Sequence, residues 1–319
     1  MSATKEKRPL DPYVEAYLYG TKMSRTEAEA LEAELSSKPD SENAREKLLG
    51  FYALKALKNK DDYASRMRHI EWLIRNRPDL QEGISQNEVA KTALLCTPKD
   101  FGKLRELWLD ASDVQPGHPK VLGNAGMFIS ARDFETGEPL LRAALASEPS
   151  NTTWAHYLCH FSYWVFIDAL DRYKRAYALK TLDYGARLMS LGGGAAPFLS
   201  QRYVGECALY LEDFDRCLEV GAWMETEFRD SPLARIGSAF VGHALLEKKD
   251  IDGALSSLDR TLFGDQETTS SMWAFAKTMF KNGYRKEVIA CVERNGDGKR
   301  QDWLRMLHAG VFPPDVKRF

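Results

Sequence analysis

The chain has 319 residues, 44% hydrophobic and 28% charged, enough to bury one or two cores. Lysine plus arginine number 44 and aspartate plus glutamate 46, for a net charge of -2, so the basic excess of a nucleic-acid surface is missing. No apolar run approaches the ~20 residues that span a bilayer, and the longest, around Tyr163 to Ala169, is broken by Asp168.

The N-terminus reads MSATKEKRPLDP, polar and charged with no apolar stretch behind it. It does not read as a secretory leader, and the expected compartment is the cytoplasm. LDPYVEAYLYG follows as a candidate helix with Pro12 near its start, and residues 1–23 are assigned to an N-terminal arm and capping helix. From residue 24 a rhythm sets in. Prolines close apolar helical stretches at Pro39, Pro78, Pro116 and Pro149, at gaps of 39, 38 and 33 residues. Proline cannot continue a helix, so each marks a stop.

Aspartates run in step with the prolines. Asp62, Asp100, Asp133, Asp213 and Asp250 each precede an aromatic residue or isoleucine, and Asp171 stands two before Tyr173. Aspartate caps helices by accepting the orphan backbone N–H bonds of the first turn, so all six are expected as N-caps. Each period then holds two helices, one before the aspartate and one after. VLGNAGMFI and DFETGEPLLRAAL form one such pair, with Phe134, Gly137, Leu141 and Ala144 on one face of the second helix and Pro139 in its first two turns. FVGHALLEKKDIDGALSSLDRTL repeats the arrangement, with Val241, Gly242 and Leu245 on the first helix and Ile251, Ala254, Leu258 and Leu262 on the second. No segment alternates β-branched residues with period two, so no strand is predicted.

This pattern resembles the tetratricopeptide repeat: leucine, small and aromatic residues on a first helix, then aromatic, small, bulky and small on a second, then proline. The best units are 118–151 and 235–264, and PDSENAREKLLGFY supplies Leu48 and Tyr52 of another. The periods are mostly longer than the family's 34 residues, through extra residues near 58–62, 96–99 and 166–170, and the family's first-helix tryptophan is absent from the two best units. The resemblance implies an all-α fold, a right-handed superhelical α-solenoid of about seven helix-turn-helix units over 24–295 with capping helices. LGGGAAP at 191–197 reads as a joint between units; it lacks the Gly-Lys-Ser/Thr ending of a phosphate-binding loop. The EKKD run at 247–250 and the DGK triplet at 297–299 read as turns. Residues 296–319 are assigned to a C-terminal capping helix with Trp303, Leu304 and Leu307 on its apolar face, and an extended tail.

In a stack of this type the first helices line a concave groove. The resemblance therefore implies that His156, His160, Tyr163, Trp164, Arg202, Tyr203, Glu206, His243 and Glu247 project into it, with Gly126 and Ile129 facing inward and Asn124 packing. Such a groove offers hydrogen bonds and stacking to a protein or peptide partner, and also admits a small-molecule ligand. Arg202 and Glu206 stand four apart, as an ion pair on one helix does. No cofactor is implied, and the lysine–asparagine set that clamps a C-terminal carboxylate in some tetratricopeptide domains is not recognisable. The alternative reading is a helical-repeat enzyme or metalloprotein. His156 and His160, four apart, can reach one ion, which Glu206 or His243 would complete. No catalytic residue is assigned, because no hydrolase, zinc-protease, paired-cysteine or dinucleotide-binding motif occurs. Five cysteines, Cys96, Cys159, Cys207, Cys217 and Cys291, fall in apolar helical patterns without paired spacing and read as buried free thiols.

Overall fold

The computed structural model describes residues 12–80, 92–191, 198–229, 231, 233–262, 270–295 and 301–313. Helices joined by turns make up these residues, with no strand among them, and no helix among them is long and apolar enough to cross a membrane. The chain divides into two compact units, Met1–Tyr157 and Leu158–Phe319.

The first unit contains α1 (Pro12–Lys22), α2 (Arg25–Ser37), α3 (Glu42–Lys55), α4 (Lys60–Asn76), α5 (Pro98–Val114), α6 (Pro119–Ser130) and α7 (Phe134–Ser147), and the start of α8 (Thr152–Asp168). Ser24 opens α2 with a capping box that includes Glu27. Ser41, Asn59 and Thr97 cap α3, α4 and α5 through side-chain oxygens. α1 lies on α3 backbone to backbone, because a Cβ on Gly20 would overlap the Lys47 carbonyl and one on Gly50 the Tyr17 carbonyl. Two apolar clusters fill the unit. One joins Met23, Ala28, Leu35, Leu48, Phe51 and Tyr52; the other joins Met67, Ile74, Leu104, Trp108, Phe128 and Ile129.

The second unit continues α8 and adds α9 (Asp171–Ser190), α10 (Phe198–Tyr210), α11 (Phe214–Glu227), α12 (Ala234–Glu247), α13 (Ile251–Leu262), α14 (Ser270–Lys281), α15 (Arg285–Asn295) and α16 (Gln301–His308). Successive helices pack in pairs, and α12 also touches α10 and α14 while α13 touches α15. Ala208, Cys217 and Ala244 are the small residues where α10, α11 and α12 converge. At the C-terminal end Trp273 of α14 meets Trp303 of α16 at 4.4 Å between ring centroids and Phe312 at 4.7 Å. Leu307 is fully buried, as its place on the apolar face predicts.

The expected helix pairs are present at 119–147 and 234–262, and Phe134, Gly137, Leu141 and Ala144 are all buried. The aspartate markers need correction. Asp133, Asp213 and Asp250 do accept the backbone N–H of Thr136, Arg216 and Gly253 at 3.1, 3.1 and 3.0 Å. Asp62 and Asp100 instead sit one turn inside helices capped by Asn59 and Thr97. Asp62 is buried and holds Arg25 in two bonds of 2.6 and 2.8 Å, while Asp100 accepts the Tyr63 and Thr97 hydroxyls. Asp171 is the first residue of α9, whose N-cap position is held by Leu170 with no side-chain cap bond. The extra residues near 166–170 include the last turn of α8, which runs to Asp168. All five cysteines are free and buried. Residues 192–197 of the expected joint at 191–197, the DGK turn and the tail beyond 313 lie outside the described residues.

Candidate partner-binding site

The second unit gathers most of the sequence-predicted residues on two neighbouring helices, α8 and α10. The sequence places His160, Tyr163, Trp164 and Phe166 within two turns on α8, and Tyr203 and Tyr210 two turns apart on α10. On a helix, residues three and four apart share a face, so the two sets meet edge to edge. The result is a continuous ladder of six rings. Trp164 stands over His160 at 6.0 Å, His160 over Tyr203 at 5.7 Å, and Tyr203 stacks on Tyr163 at 4.0 Å. The ladder continues through Phe166 at 6.0 Å to Tyr210 at 5.2 Å. The four spacings other than the Tyr203–Tyr163 stack lie in the range where aromatic pairs attract beyond their buried area.

The two ends of the ladder reach solvent, while its middle is buried at Tyr163, Tyr203 and Phe166 and half-buried at His160. Trp164 is 51% exposed and Tyr210 44%, whereas Tyr163 and Tyr203 are 6% and 5% exposed. This corrects the expectation that Tyr163 and Tyr203 project into a groove. They are drawn in because each stacks on the other and each has a polar partner for its hydroxyl. Tyr203 meets His160 Nδ1 at 3.3 Å, and Tyr163 donates to Glu206.

Glu206 ties this region together. One carboxylate oxygen takes the Tyr163 hydroxyl; the other accepts Arg202 Nε at 2.8 Å and Ser271 Oγ at 2.9 Å. Its donors come from α8, α10 and α14, so the carboxylate joins three elements rather than waiting for a ligand. Burial pushes the Tyr163 phenol up, and the Glu206 charge pushes it further, so it stays protonated and donating. Burial works against the charge of Arg202, but Glu206 more than compensates and its pKa is raised. Tyr203 is likewise raised, chiefly by burial.

The remaining predicted residues lie apart from the ladder. His156 tilts against Tyr157 at 5.4 Å, and burial lowers its pKa to about 4. His243 packs on Phe275 at 5.1 Å, again with a pKa lowered by burial to about 4. Both are neutral near pH 7. Glu247 is exposed at the end of α12. Asn124 packs as expected, donating to the carbonyls of Pro78 and Leu80 at 2.9 Å each. Gly126 and Ile129 do not face a groove: both are buried, and Gly126 lies against Leu141 and Gly137 of α7 because only a residue without Cβ fits there. Among the described residues no three histidine, cysteine, aspartate or glutamate side chains gather around a point that could hold a metal ion.

Phe166, Tyr210 and Ser271 complete the site and were not singled out in the sequence. Phe166 and Tyr210 carry a signal: each continues the helical spacing of the aromatics already noted. Ser271 carries none, because its contact with Glu206 spans 65 residues. No protein-family model matches the chain, and no similar curated protein is found.

Proposed function

We propose that the chain is a tetratricopeptide-like right-handed α-solenoid that holds an extended segment of a partner protein on its first-helix face, and that it acts as a scaffold rather than an enzyme. Support for the repeat comes from a contact that recurs. A glycine on one first helix receives an aromatic ring of the next: Gly123 takes Trp154, Gly205 takes Phe240, and Gly242 takes Phe275. A Cβ at any of the three would overlap the ring, so the same small-to-large fit sets the spacing of neighbouring first helices.

The observation that carries the binding reading is the ring ladder with exposed ends. Trp164 and Tyr210 present large apolar faces to solvent, Trp164 against the half-buried His160 ring and Tyr210 against the buried Phe166 ring. Rigid aromatic surface of this kind binds at low entropic cost. A partner strand laid across it would rest proline, aromatic or branched aliphatic side chains on Trp164 and Tyr210.

The test is affinity capture from the native cell, identification of the co-eluting protein, and titration of its binding segment by calorimetry. Trp164→Ala and Tyr210→Ala are each expected to weaken binding about tenfold with unchanged circular dichroism. Tyr173→Ala and Leu179→Ala, on exposed positions of the second helix α9, should leave affinity unchanged. The reverse outcome, with loss at α9 and none at Trp164 or Tyr210, would overturn the assignment.

A further inference from the structure

The first unit contains a cavity of about 50 Å³ between α3, α4, α5 and α6. Leu49, Ile70, Ile74 and Phe128 give it apolar walls. Glu46, Arg66, Arg77 and Thr92 contribute polar side chains to the lining, and Trp108 and Asn124 each add a buried polar atom without a partner. Trp108 is 3% exposed and its indole Nε1–H has no acceptor. Asn124 is 1% exposed and spends its amide hydrogens on Pro78 and Leu80, yet its Oδ1 accepts nothing. Leaving such groups buried and unmet costs about 1–3 kcal/mol each, so native interiors rarely tolerate one, let alone a donor and an acceptor on one cavity.

We propose that this cavity is a binding site for a small neutral molecule with a short branched apolar body and a hydroxyl or primary amide head. One head group of this kind serves both protein atoms, accepting from Trp108 Nε1–H and donating to Asn124 Oδ1. The volume sets the size. A water needs roughly 10–15 Å³ of such a cavity, so about four waters fit, or a chain of about five or six heavy atoms. Larger ring systems are excluded. The apolar walls favour displacing water with carbon, while the two polar atoms fix orientation, as in small-molecule pockets generally. The site belongs to the first unit and does not depend on the ring ladder of the second.

The experiment uses the full chain with isobutanol, isobutyramide and isopentane as probes, read by crystal soaking and by ligand-observed NMR titration. Isobutyramide or isobutanol should appear in the cavity with its head group within hydrogen-bond distance of Trp108 Nε1 and Asn124 Oδ1. Trp108→Phe keeps the apolar ring and removes the donor, and is expected to weaken isobutyramide about tenfold while leaving isopentane unchanged. Ile70→Trp fills the cavity and should abolish binding of all three. Ordered waters only, at every probe concentration, would overturn the proposal. Equal affinity of Trp108→Phe and the parent chain for isobutyramide would also overturn it, as would binding that survives Ile70→Trp.

Discussion

At the scale of single residues, two kinds of contact carry the second unit. The first is the glycine that receives a ring. In Gly205→Ala the new methyl group meets the Phe240 ring, and overpacking of this kind costs about 1–3 kcal/mol. Shrinking the partner should relieve the clash. Gly205→Ala with Phe240→Leu is therefore expected to lose less, by urea unfolding, than the two single changes added together. Strict additivity would show that the fit is not the one described. The second contact is the Glu206 tie. Glu206→Gln leaves Arg202 without its ion pair and Tyr163 without a charged acceptor. Both groups are partly buried, so about 2 kcal/mol of stability should go. The same role means that charge reversal at Arg202 or Glu206 tests folding more than binding, whereas Trp164 and Tyr210 can be cut without touching the tie.

At the scale of elements, the aspartates show what a sequence pattern can and cannot reveal. An N-cap is a local device: the side chain bonds the backbone two or three residues on, so an aspartate before an aromatic residue carries the information in itself. Asp133, Asp213 and Asp250 were legible for that reason. Asp62 has the same neighbours, yet Asn59 takes the cap and leaves Asp62 to pair with Arg25 on α2. Arg25 is 37 residues away, and no local pattern encodes that contact. The groove assignments failed at Gly126 and Ile129 for a related reason: helical spacing gives a face, but which helix covers the face depends on tertiary packing. The burial of Tyr163 and Tyr203 follows from stacking on each other across α8 and α10, which neither helix shows alone. The aspartates also separate experimentally. Asp133→Ala should cost about 1 kcal/mol, with no coupling to any distant side chain. Asp62→Ala should show a coupling energy with Arg25→Ala in a double-mutant cycle, read by chemical denaturation. A null coupling there would remove Arg25–Asp62 as a tie between α2 and α4.

At the scale of the whole molecule, acid stability depends on where the buried histidines sit. Each compact unit holds one with a strongly lowered pKa, His156 in the first and His243 in the second, each at about 4 because packing excludes water from the ring. An unfolded histidine titrates near 6.5. Between that value and about 4 the unfolded chain binds a proton at each position that the folded chain refuses, so stability is complete above about pH 6.5 and falls as the pH drops toward 4. The carboxylates with lowered values act in a different range. Asp62 is held down by Arg25, Glu32 by His69 and Asp100 by Tyr63, so their contributions are lost only as pH falls below about 5, through the ordinary carboxylate range and beyond. Between pH 6.5 and 5 the histidines therefore dominate. Each lowered pKa unit corresponds to about 1.4 kcal/mol at full effect, reduced where the ring keeps some solvent contact. Urea midpoints measured at pH 7.5, 6.5, 5.75 and 5 should fall steadily across the lower three points. In His156→Gln with His243→Gln the overall midpoint changes, but the decline from pH 6.5 to 5 should flatten. A slope equal to that of the parent chain would mean that neither ring is held neutral by the fold.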